Sequence, residues 1–241
     1  MLHPRADEDV TAAMKLGAAV DFGFFYGDEA FAEKYPDTAE FSSFQTKAAR
    51  EWKAEQEARG AIVLPKDTRE NAVAMVRRLR SKKHINELFN GKTQVSAFAE
   101  DPNTGLRIKG RIDGIHEGLG VAVDLKTCTD ASWGKFLWQA TDLAYHMQAA
   151  MYLWLLELNG IRLKKFIWVC IETGRGNAIG YYCVPDEMLE LGREHVRAAL
   201  DTKAALLPIS KKPLARVHKR PEHARTPAFL AVETFSRSGS I

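Results

Sequence analysis

The sequence contains little cysteine. Only Cys128, Cys170 and Cys183 occur, and no two of them have the CxxC spacing. An odd number of cysteines argues against a disulfide framework, and three such residues cannot by themselves build a structural zinc site or a four-cysteine iron–sulfur cluster. We therefore expect free thiols in a reducing compartment, most simply the cytoplasm.

Long apolar runs are also missing. No stretch reaches the roughly 18 residues that a transmembrane helix needs, and residues 1–9 lack the basic-then-apolar order of a signal peptide. The sequence therefore predicts no association with a membrane. With 46% hydrophobic and 27% charged residues in 241, the composition is that of a globular protein with one substantial core, which excludes a wholly disordered chain.

Neither sign of charge is in large excess over the whole chain, since the net charge is only +3. Its distribution is uneven. Residues 202–241 carry eight Lys and Arg against two Glu, whereas the preceding residues have a net charge of −3. We expect a domain over residues 1–207 and a basic, proline-containing tail over 208–241. Such a tail is typical either of an arm that binds a polyanion or of a flexible appendage.

The pattern of apolar and turn-forming residues predicts an α/β (α+β) fold with a mixed central β-sheet flanked by helices. Residues 10–89 are mostly helical. The remaining prediction is three strands of an antiparallel meander at 93–100, 106–115 and 120–126, a long helix at 131–158 with an interruption near Trp138, two strands at 165–172 and 178–184, and a last helix at 185–206.

The chemistry-bearing pattern lies on the meander. Asp113 ends one strand and Asp124 lies near the end of its hairpin partner, so the two carboxylates can meet at one sheet edge. Two adjacent carboxylates repel each other unless a cation or a shared proton compensates, and oxygen ligands of this kind suit Mg²⁺ or Mn²⁺. Lys126 follows two residues later, on the same face of the strand. The alternative is that this D-x-K is solvated surface decoration.

The helix that follows carries Tyr145, Gln148 and Tyr152 at positions i, i+3 and i+7, on one face. These side chains can donate hydrogen bonds to phosphates or stack on bases. The alternative is that the tyrosines are half-buried at the edge of the core. His146 lies beside them in the sequence, and the alternative that it is only a residue on the helix surface stays open.

Taken together, these residues resemble a known family. Asp113, then Asp124-Leu125-Lys126-Thr127, then Tyr145-His146-x-Gln148-Ala-Ala-x-Tyr152 is similar to the PD-(D/E)xK nucleases. The likeness is greatest to the phage and prophage exodeoxyribonuclease VIII group, which is related to the RecB nuclease domain and lambda exonuclease. It is strong over about residues 92–160 and implies a restriction-endonuclease-like core there.

The resemblance implies roles for individual residues. Asp113 and Asp124 would bind one or two Mg²⁺ or Mn²⁺ ions, the Leu125 carbonyl would complete the site, and Lys126 would activate water. The residues implied to support the site or contact DNA are Thr127, Tyr145, Gln148, Tyr152 and Gln94.

Two positions depart from the family pattern. Gln94 stands where the family has Glu, so an amide replaces a carboxylate, and Glu100 on the same hairpin is the candidate substitute. Asp21 stands where the family has the His of a G-x-x-x-H element, here Gly17-Ala-Ala-Val-Asp21, and it can still bind a hard cation. Because of these two departures, the alternative that the protein is a weak or inactive nuclease stays open.

The function predicted first is therefore metal-dependent hydrolysis of DNA, most simply by a phage-type exonuclease that acts on double-stranded ends in recombination. By the resemblance, a single-strand annealing protein is the expected partner and a homo-oligomeric ring the expected assembly. The alternatives are an endonuclease of the same superfamily, a DNA-binding module on an inactive scaffold, and an interaction protein whose tail binds an acidic partner.

Overall fold

A computed structural model describes residues 11–38, 40–41, 43–174 and 176–207 of the chain. The predicted basic tail at 208–241 lies outside the described residues. The three cysteines are free, with Cys128 and Cys170 buried and Cys183 exposed, as expected. Within the described ranges, none of the helices combines the length and the apolar character that a membrane span requires.

The described part of the chain contains helices and strands in the predicted order. The helices are α1 (Ala12–Tyr26), α2 (Asp28–Lys34), α3 (Lys47–Ala58), α4 (Lys66–Arg80), α5 (Lys83–Leu88), α6 (Trp133–Asp142), α7 (Tyr145–Leu158) and α8 (Asp186–Leu206). The strands are β1 (Lys92–Glu100), β2 (Arg107–His116), β3 (Val121–Cys128), β4 (Lys165–Glu172) and β5 (Ile179–Cys183).

The five strands form one sheet in the order β1-β2-β3-β4-β5. β1 pairs with β2 and β2 pairs with β3, both antiparallel, which confirms the predicted meander. β3 and β4 are parallel, because the N–H of Lys164 donates to the Gly120 carbonyl (2.8 Å) and, further along both strands, that of Thr173 donates to Cys128 (2.9 Å). The helices α6 and α7 supply the crossover that a parallel pair needs.

β4 and β5 are antiparallel. The N–H of Glu172 donates to the Ala178 carbonyl and that of Val184 donates to Phe166, both at 2.9 Å, so the pairing runs in opposite directions along the two strands. The sheet is therefore mixed, and with the helices it gives the predicted α/β architecture.

The chain divides into two compact units. The first contains residues up to Asn86, together with 126–129 and 171–179. In it, α1 packs closely on α4 at Gly23, where a β-carbon would come within 2.9 Å of side-chain atoms of both Phe31 and Val76. A glycine is required here because the two helices approach too closely for any side chain.

The second unit contains residues 87–125, 130–170 and the chain from Gly180 onward, and it holds most of the sheet. α7 and α8 pack against each other at Gly192, where a β-carbon would lie 2.4 Å from the His146 carbonyl oxygen. At the β1–β2 turn the fully buried Asp101 accepts two hydrogen bonds from the Arg197 guanidinium of α8, at 2.9 and 2.7 Å. This ion pair holds the hairpin against α8.

The prediction of an interruption near Trp138 in one long helix was wrong in position. α6 continues through Trp138 to Asp142, and the break lies at Leu143 and Ala144. Ala144 has a left-handed backbone, with φ of 55°. This conformation costs a non-glycine residue about 1 kcal/mol or more. Residues 143 and 144 are neither glycine nor proline, the residues that commonly mark a helix end. For that reason no local pattern in the sequence indicates the place.

Candidate active site

Asp113 and Asp124 lie one step beyond the last pair of the β2–β3 ladder. The ladder pairs His116 with Val121 and continues to Gly114 with Val123. One more step along this antiparallel register brings Asp113 opposite Asp124. Cross-strand partners lie on the same face of a sheet, so this register is consistent with the predicted approach of the two carboxylates.

A backbone N–H next to this pair donates a hydrogen bond to the Asp113 side chain. Immediately beyond the Gly114 to Val123 pair, the N–H of Leu125 donates to Oδ2 of Asp113 at 2.8 Å. The carboxylate thus takes the place that a strand carbonyl would occupy in a continued ladder. The strands separate at this point, and Asp113 is fixed against the Asp124–Leu125 peptide.

The two carboxylates differ in exposure. Asp124 is only 2% exposed and its Oδ2 is inaccessible to solvent, whereas Asp113 is half-buried. Burying a carboxylate beside a second one carries both a desolvation penalty and like-charge repulsion. A bound cation would offset both costs.

Gln94 lies on β1 next to Asp113. Its Nε2 is 3.5 Å from Oδ1 of Asp113, a long hydrogen bond. The β1–β2 register pairs Thr93 with Gly114 and Val95 with Ile112, which puts Gln94 opposite Asp113. The backbone of Gln94 has a left-handed conformation, with φ of 53°. Strained conformations of this kind often occur at functional sites.

The donor set fits a hard divalent cation. In the part of the chain that the structure describes, no group of three or more His, Cys, Asp or Glu side chains is arranged to hold a metal ion. Asp113 and Asp124 are two oxygen donors at the point where the ladder ends. Because Mg²⁺ is commonly held by one or two carboxylates, with waters and substrate phosphate oxygens completing the octahedron, two carboxylates suffice for such an ion.

Lys126 and Thr127 follow Asp124 on β3, and both are half-buried. Thr127 belongs to the first unit and lies against α1, since a β-carbon on Gly17 would be 3.2 Å from its Oγ1. Asp21 is one helical turn beyond Gly17, on the same face of α1. Within the first unit, the Gly17 to Asp21 element therefore lies along the segment 126–129.

Tyr35 is a residue near Asp21 that the sequence pattern does not single out. Its side chain is 3% exposed. Burial, and secondly the negative charge of Asp21, raise the pKa of the Tyr35 hydroxyl. The phenol thus stays protonated beside the carboxylate. Its sequence signal, a tyrosine before Pro36, indicates only a helix end.

Gln148 and Tyr152 contact each other on α7. The Gln148 amide donates to the Tyr152 hydroxyl at 3.0 Å, and the Tyr152 ring covers Gly110 of β2, where a β-carbon would lie 2.7 Å from Cε1. Gly110 and Asp113 are three residues apart on a regularly paired strand, so they face opposite sides of the sheet. The pair therefore supports the strand that carries Asp113.

The other predicted positions fall in different places. Tyr145 is half-buried with its ring centroid 6.4 Å from that of Phe136. Glu100 pairs with Arg107 at the far end of β1, six residues from Gln94, so it does not substitute for a carboxylate there. His146 is 4% exposed, so it is not a surface residue, and its Nε2 is 3.3 Å from Nδ1 of His195.

The sequence matches, over residues 2–215, a family described as a PDDEXK-like domain of unknown function (DUF3799). The chain therefore belongs to this family. The mixed five-stranded sheet with flanking helices is the PDDEXK-like, nuclease-like fold, which confirms the fold and the superfamily predicted from the sequence.

The chain was also compared with solved structures, of which one shares its fold. A Eubacterium rectale protein assigned provisionally as an exonuclease is 17% identical, with a TM-score of 0.61, 92% of this chain covered and 80% of the other. At this identity the likeness concerns the fold alone. A phage-related exonuclease from Haemophilus somnus 129PT is 12% identical, with a TM-score of 0.38 and coverages of 84% and 88%. A comparison with curated proteins gave no significant match.

Proposed function

We propose that this protein is a metal-dependent DNA nuclease that hydrolyses phosphodiester bonds. The observation that carries the proposal is the hydrogen bond from the Leu125 N–H to Asp113 Oδ2, which fixes one carboxylate opposite Asp124 where the β2–β3 ladder ends. The PDDEXK-like fold of the chain supports the proposal that a divalent cation and the phosphate to be cut would bind here.

The proposed roles follow from the chemistry of the side chains. Asp113 and Asp124 would hold one or two Mg²⁺ or Mn²⁺ ions, and the Leu125 carbonyl, on the same side of β3 as its N–H, is a further oxygen ligand. A bound ion of this kind lowers the pKa of water and neutralises charge on the phosphate. Asp21 is the proposed additional carboxylate from α1.

Lys126 is proposed to orient the attacking water and to stabilise the charge that develops on the phosphate. It lies two residues beyond Asp124 on the same strand, so alternation gives both side chains the same face. Thr127, Tyr145, Gln148 and Tyr152 remain proposed contacts or supports of the DNA backbone. Of these, Gln148 and Tyr152 act through β2, which they hold from the opposite face.

The finer proposal is an exonuclease that acts on double-stranded ends in the cytoplasm of a bacterial or phage-infected cell. A single-strand annealing protein as partner and a ring-shaped oligomer belong to the same proposal. Both rest on the sequence resemblance, and the name of the Eubacterium rectale neighbour is consistent with the exonuclease assignment.

A second candidate is a DNA-binding module with weak or absent hydrolysis. The Gln94 amide beside Asp113 favours it, since an amide adds no negative charge to the metal site. This candidate predicts salt-sensitive duplex binding without cleavage in any divalent metal.

The test is cleavage of an end-labelled linear duplex with Mg²⁺, Mn²⁺ or EDTA, alongside a covalently closed circle. We expect metal-dependent loss of the linear substrate alone. Cleavage of the circle would replace the exonuclease by an endonuclease, and intact DNA in every metal would favour the binding module.

The residue roles need matched variants. Asp124→Asn and Lys126→Ala should each abolish measurable cleavage, while the exposed Asp142→Asn and Lys165→Ala should cleave as the wild-type protein does. Full activity in Asp124→Asn or Lys126→Ala would place the reaction elsewhere in the chain.

A further inference from the structure

One face of the β1–β2 hairpin is open to solvent. We call Ser96, Phe98, Lys109 and Arg111 the hairpin face, since all four are exposed and the register pairs Ser96 with Arg111 and Phe98 with Lys109. Cross-strand partners point to the same side, so the four side chains form one continuous surface within the second unit.

The opposite side of the hairpin is covered. Ile108 and Ile112 are buried, and Gly110 lies against the Tyr152 ring of α7. β1 is the first strand of the sheet. The hairpin is thus a one-sided ribbon, with α7 behind it and solvent in front.

The hairpin face leads directly to Asp113. Lys109, Arg111 and Asp113 alternate along β2, so they share a face. Successive members are separated by about 6.8 Å, which is twice the rise of about 3.4 Å per nucleotide along one strand of duplex DNA. A DNA strand that ends at Asp113 can therefore meet cations at intervals that suit its phosphates.

The hairpin face carries positive charge. Elsewhere on the described surface some exposed Lys and Arg pair with an acidic neighbour, as Lys47 does with Glu51 and Arg59 with Glu55. Lys109 makes no ion pair with any residue that the structure describes. Its charge is thus available to a polyanion.

Phe98 adds an aromatic surface beside Lys109, its cross-strand partner. The side chain is 59% exposed, although a phenylalanine of this exposure leaves apolar area in water at a cost of about 25 cal/mol per Å². Exposed aromatic side chains beside cations are the arrangement with which proteins bind single nucleic-acid strands, because a ring can stack on any base.

We propose that the hairpin face is the track for the DNA strand that enters the active site. Lys109 and Arg111 contact phosphates that are two nucleotides apart, and Phe98 stacks on an unpaired base or sugar close to the cut. This assignment rests on the proposed nuclease function and adds to it the surface that selects a strand with a free, unpaired end.

The test measures binding separately from cleavage. Fluorescence anisotropy with Ca²⁺ in place of Mg²⁺ compares a blunt duplex with one that has a single-stranded overhang, over a series of salt concentrations. The variants are Lys109→Ala, Arg111→Ala, Phe98→Ala and Phe98→Trp. Lys165→Ala is the matched control, an exposed lysine on β4 that is away from this surface.

Loss of one phosphate contact should lower the slope of log affinity against log salt by about 0.7 to 0.9. Lys109→Ala and Arg111→Ala should therefore bind both substrates several-fold more weakly at low salt. Phe98→Ala should lose about fivefold or more on the overhang substrate only, and Phe98→Trp should restore it, because stacking depends on the ring. Lys165→Ala should bind as the wild-type protein.

Wild-type affinity in Lys109→Ala, Arg111→Ala and Phe98→Ala would overturn the track, and in that case metal-dependent cleavage would still support the nuclease. Binding that depends on these residues without any cleavage in Mg²⁺ or Mn²⁺ would support the track and overturn hydrolysis. Absence of DNA binding by the wild-type protein would overturn both. A changed oligomeric state in Phe98→Ala with unchanged DNA affinity would overturn the track in favour of a protein contact.

Discussion

Asp113 accepts a hydrogen bond from the Leu125 backbone at the point where β2 and β3 separate. In the proposed site this bond holds the Asp113 carboxylate beside the Asp124–Leu125 peptide, in place of one ladder hydrogen bond. The folded chain therefore stores a local electrostatic cost that a cation can relieve. A cation bound at the proposed site would therefore also stabilise the fold.

This coupling predicts the behaviour of Asp124→Asn. With Mn²⁺ at 100 times its dissociation constant, the wild-type protein should gain about 2.7 kcal/mol of stability, and the variant should gain little because it lacks one of the two carboxylates. Thermal unfolding with Mn²⁺ or EDTA measures the difference. Asp142→Asn should keep the full metal-dependent shift, and an equal shift in Asp124→Asn would mean that the ion binds elsewhere.

Local signals explain why the sheet could be predicted from the sequence. Alternation, the turn residues around Asn103 and Gly118, and the spacing of Asp113 from Asp124 are properties of neighbouring residues, and they give the hairpin register directly. The approach of the two carboxylates is an extension of that register by one step, and it stays a prediction.

Features that depend on packing between distant segments could not be predicted. The apolar periodicity of residues 140–158 was assigned to one helix. The break at Ala144 shifts the phase of that pattern, so His146 is buried against α8 instead of lying on the surface. The ion pair of Asp101 with Arg197 joins residues 96 positions apart, and no pattern within either segment predicts it.

That ion pair gives a second prediction. Arg197→Gln leaves the Asp101 carboxylate buried without its guanidinium, which should cost about 3–5 kcal/mol of stability. The Arg197 hydrogen bonds hold the pKa of Asp101 well below its usual range, so the wild-type contribution is present at neutral pH and is lost as the solution is acidified below about pH 4.

The measurement is urea unfolding of Arg197→Gln, Asp101→Asn and the double variant at pH 7. Because Asp101→Asn removes the negative charge, the double variant should be clearly less destabilised than the sum of the two single changes. An additive result would mean that the two side chains do not interact in solution. Arg193→Gln, which removes an exposed pair with Glu190 on the same helix, should change stability by less than about 1 kcal/mol.

The support of β2 by α7 gives a third prediction. Gly110→Ala places a methyl group 2.7 Å from a carbon of the Tyr152 ring, and such overpacking costs about 1–3 kcal/mol. Gly134 on α6 is the matched control, since a β-carbon there meets nothing within 4 Å. Gly134→Ala should stabilise the helix by about 0.5–1 kcal/mol. Chemical unfolding compares the Gly110→Ala and Gly134→Ala variants. Equal stabilities would show that the Tyr152 ring moves aside without a loss of stability.

The buried His146 predicts a dependence of stability on pH. Burial, and secondly the neighbouring His195 of α8, lower the pKa of His146 from 6.5, and the nearby Ala140 carbonyl of α6 only partly offsets them. The unfolded chain therefore binds a proton at a higher pH than the folded chain does. Stability should be complete above about pH 6.5 and should fall on acidification, by at most about 1.4 kcal/mol per pH unit from this group.

The test compares the slope of unfolding free energy between pH 7.5 and 5 in the wild-type protein, in His146→Gln and in His84→Gln. His146→Gln should have the shallower slope whatever its stability at pH 7.5, because glutamine does not titrate. His84, which is exposed on α5, is the comparison for a histidine outside the α7 and α8 pair. Equal slopes in all three proteins would mean that the proton uptake on unfolding comes from carboxylates instead of from the interface between α7 and α8.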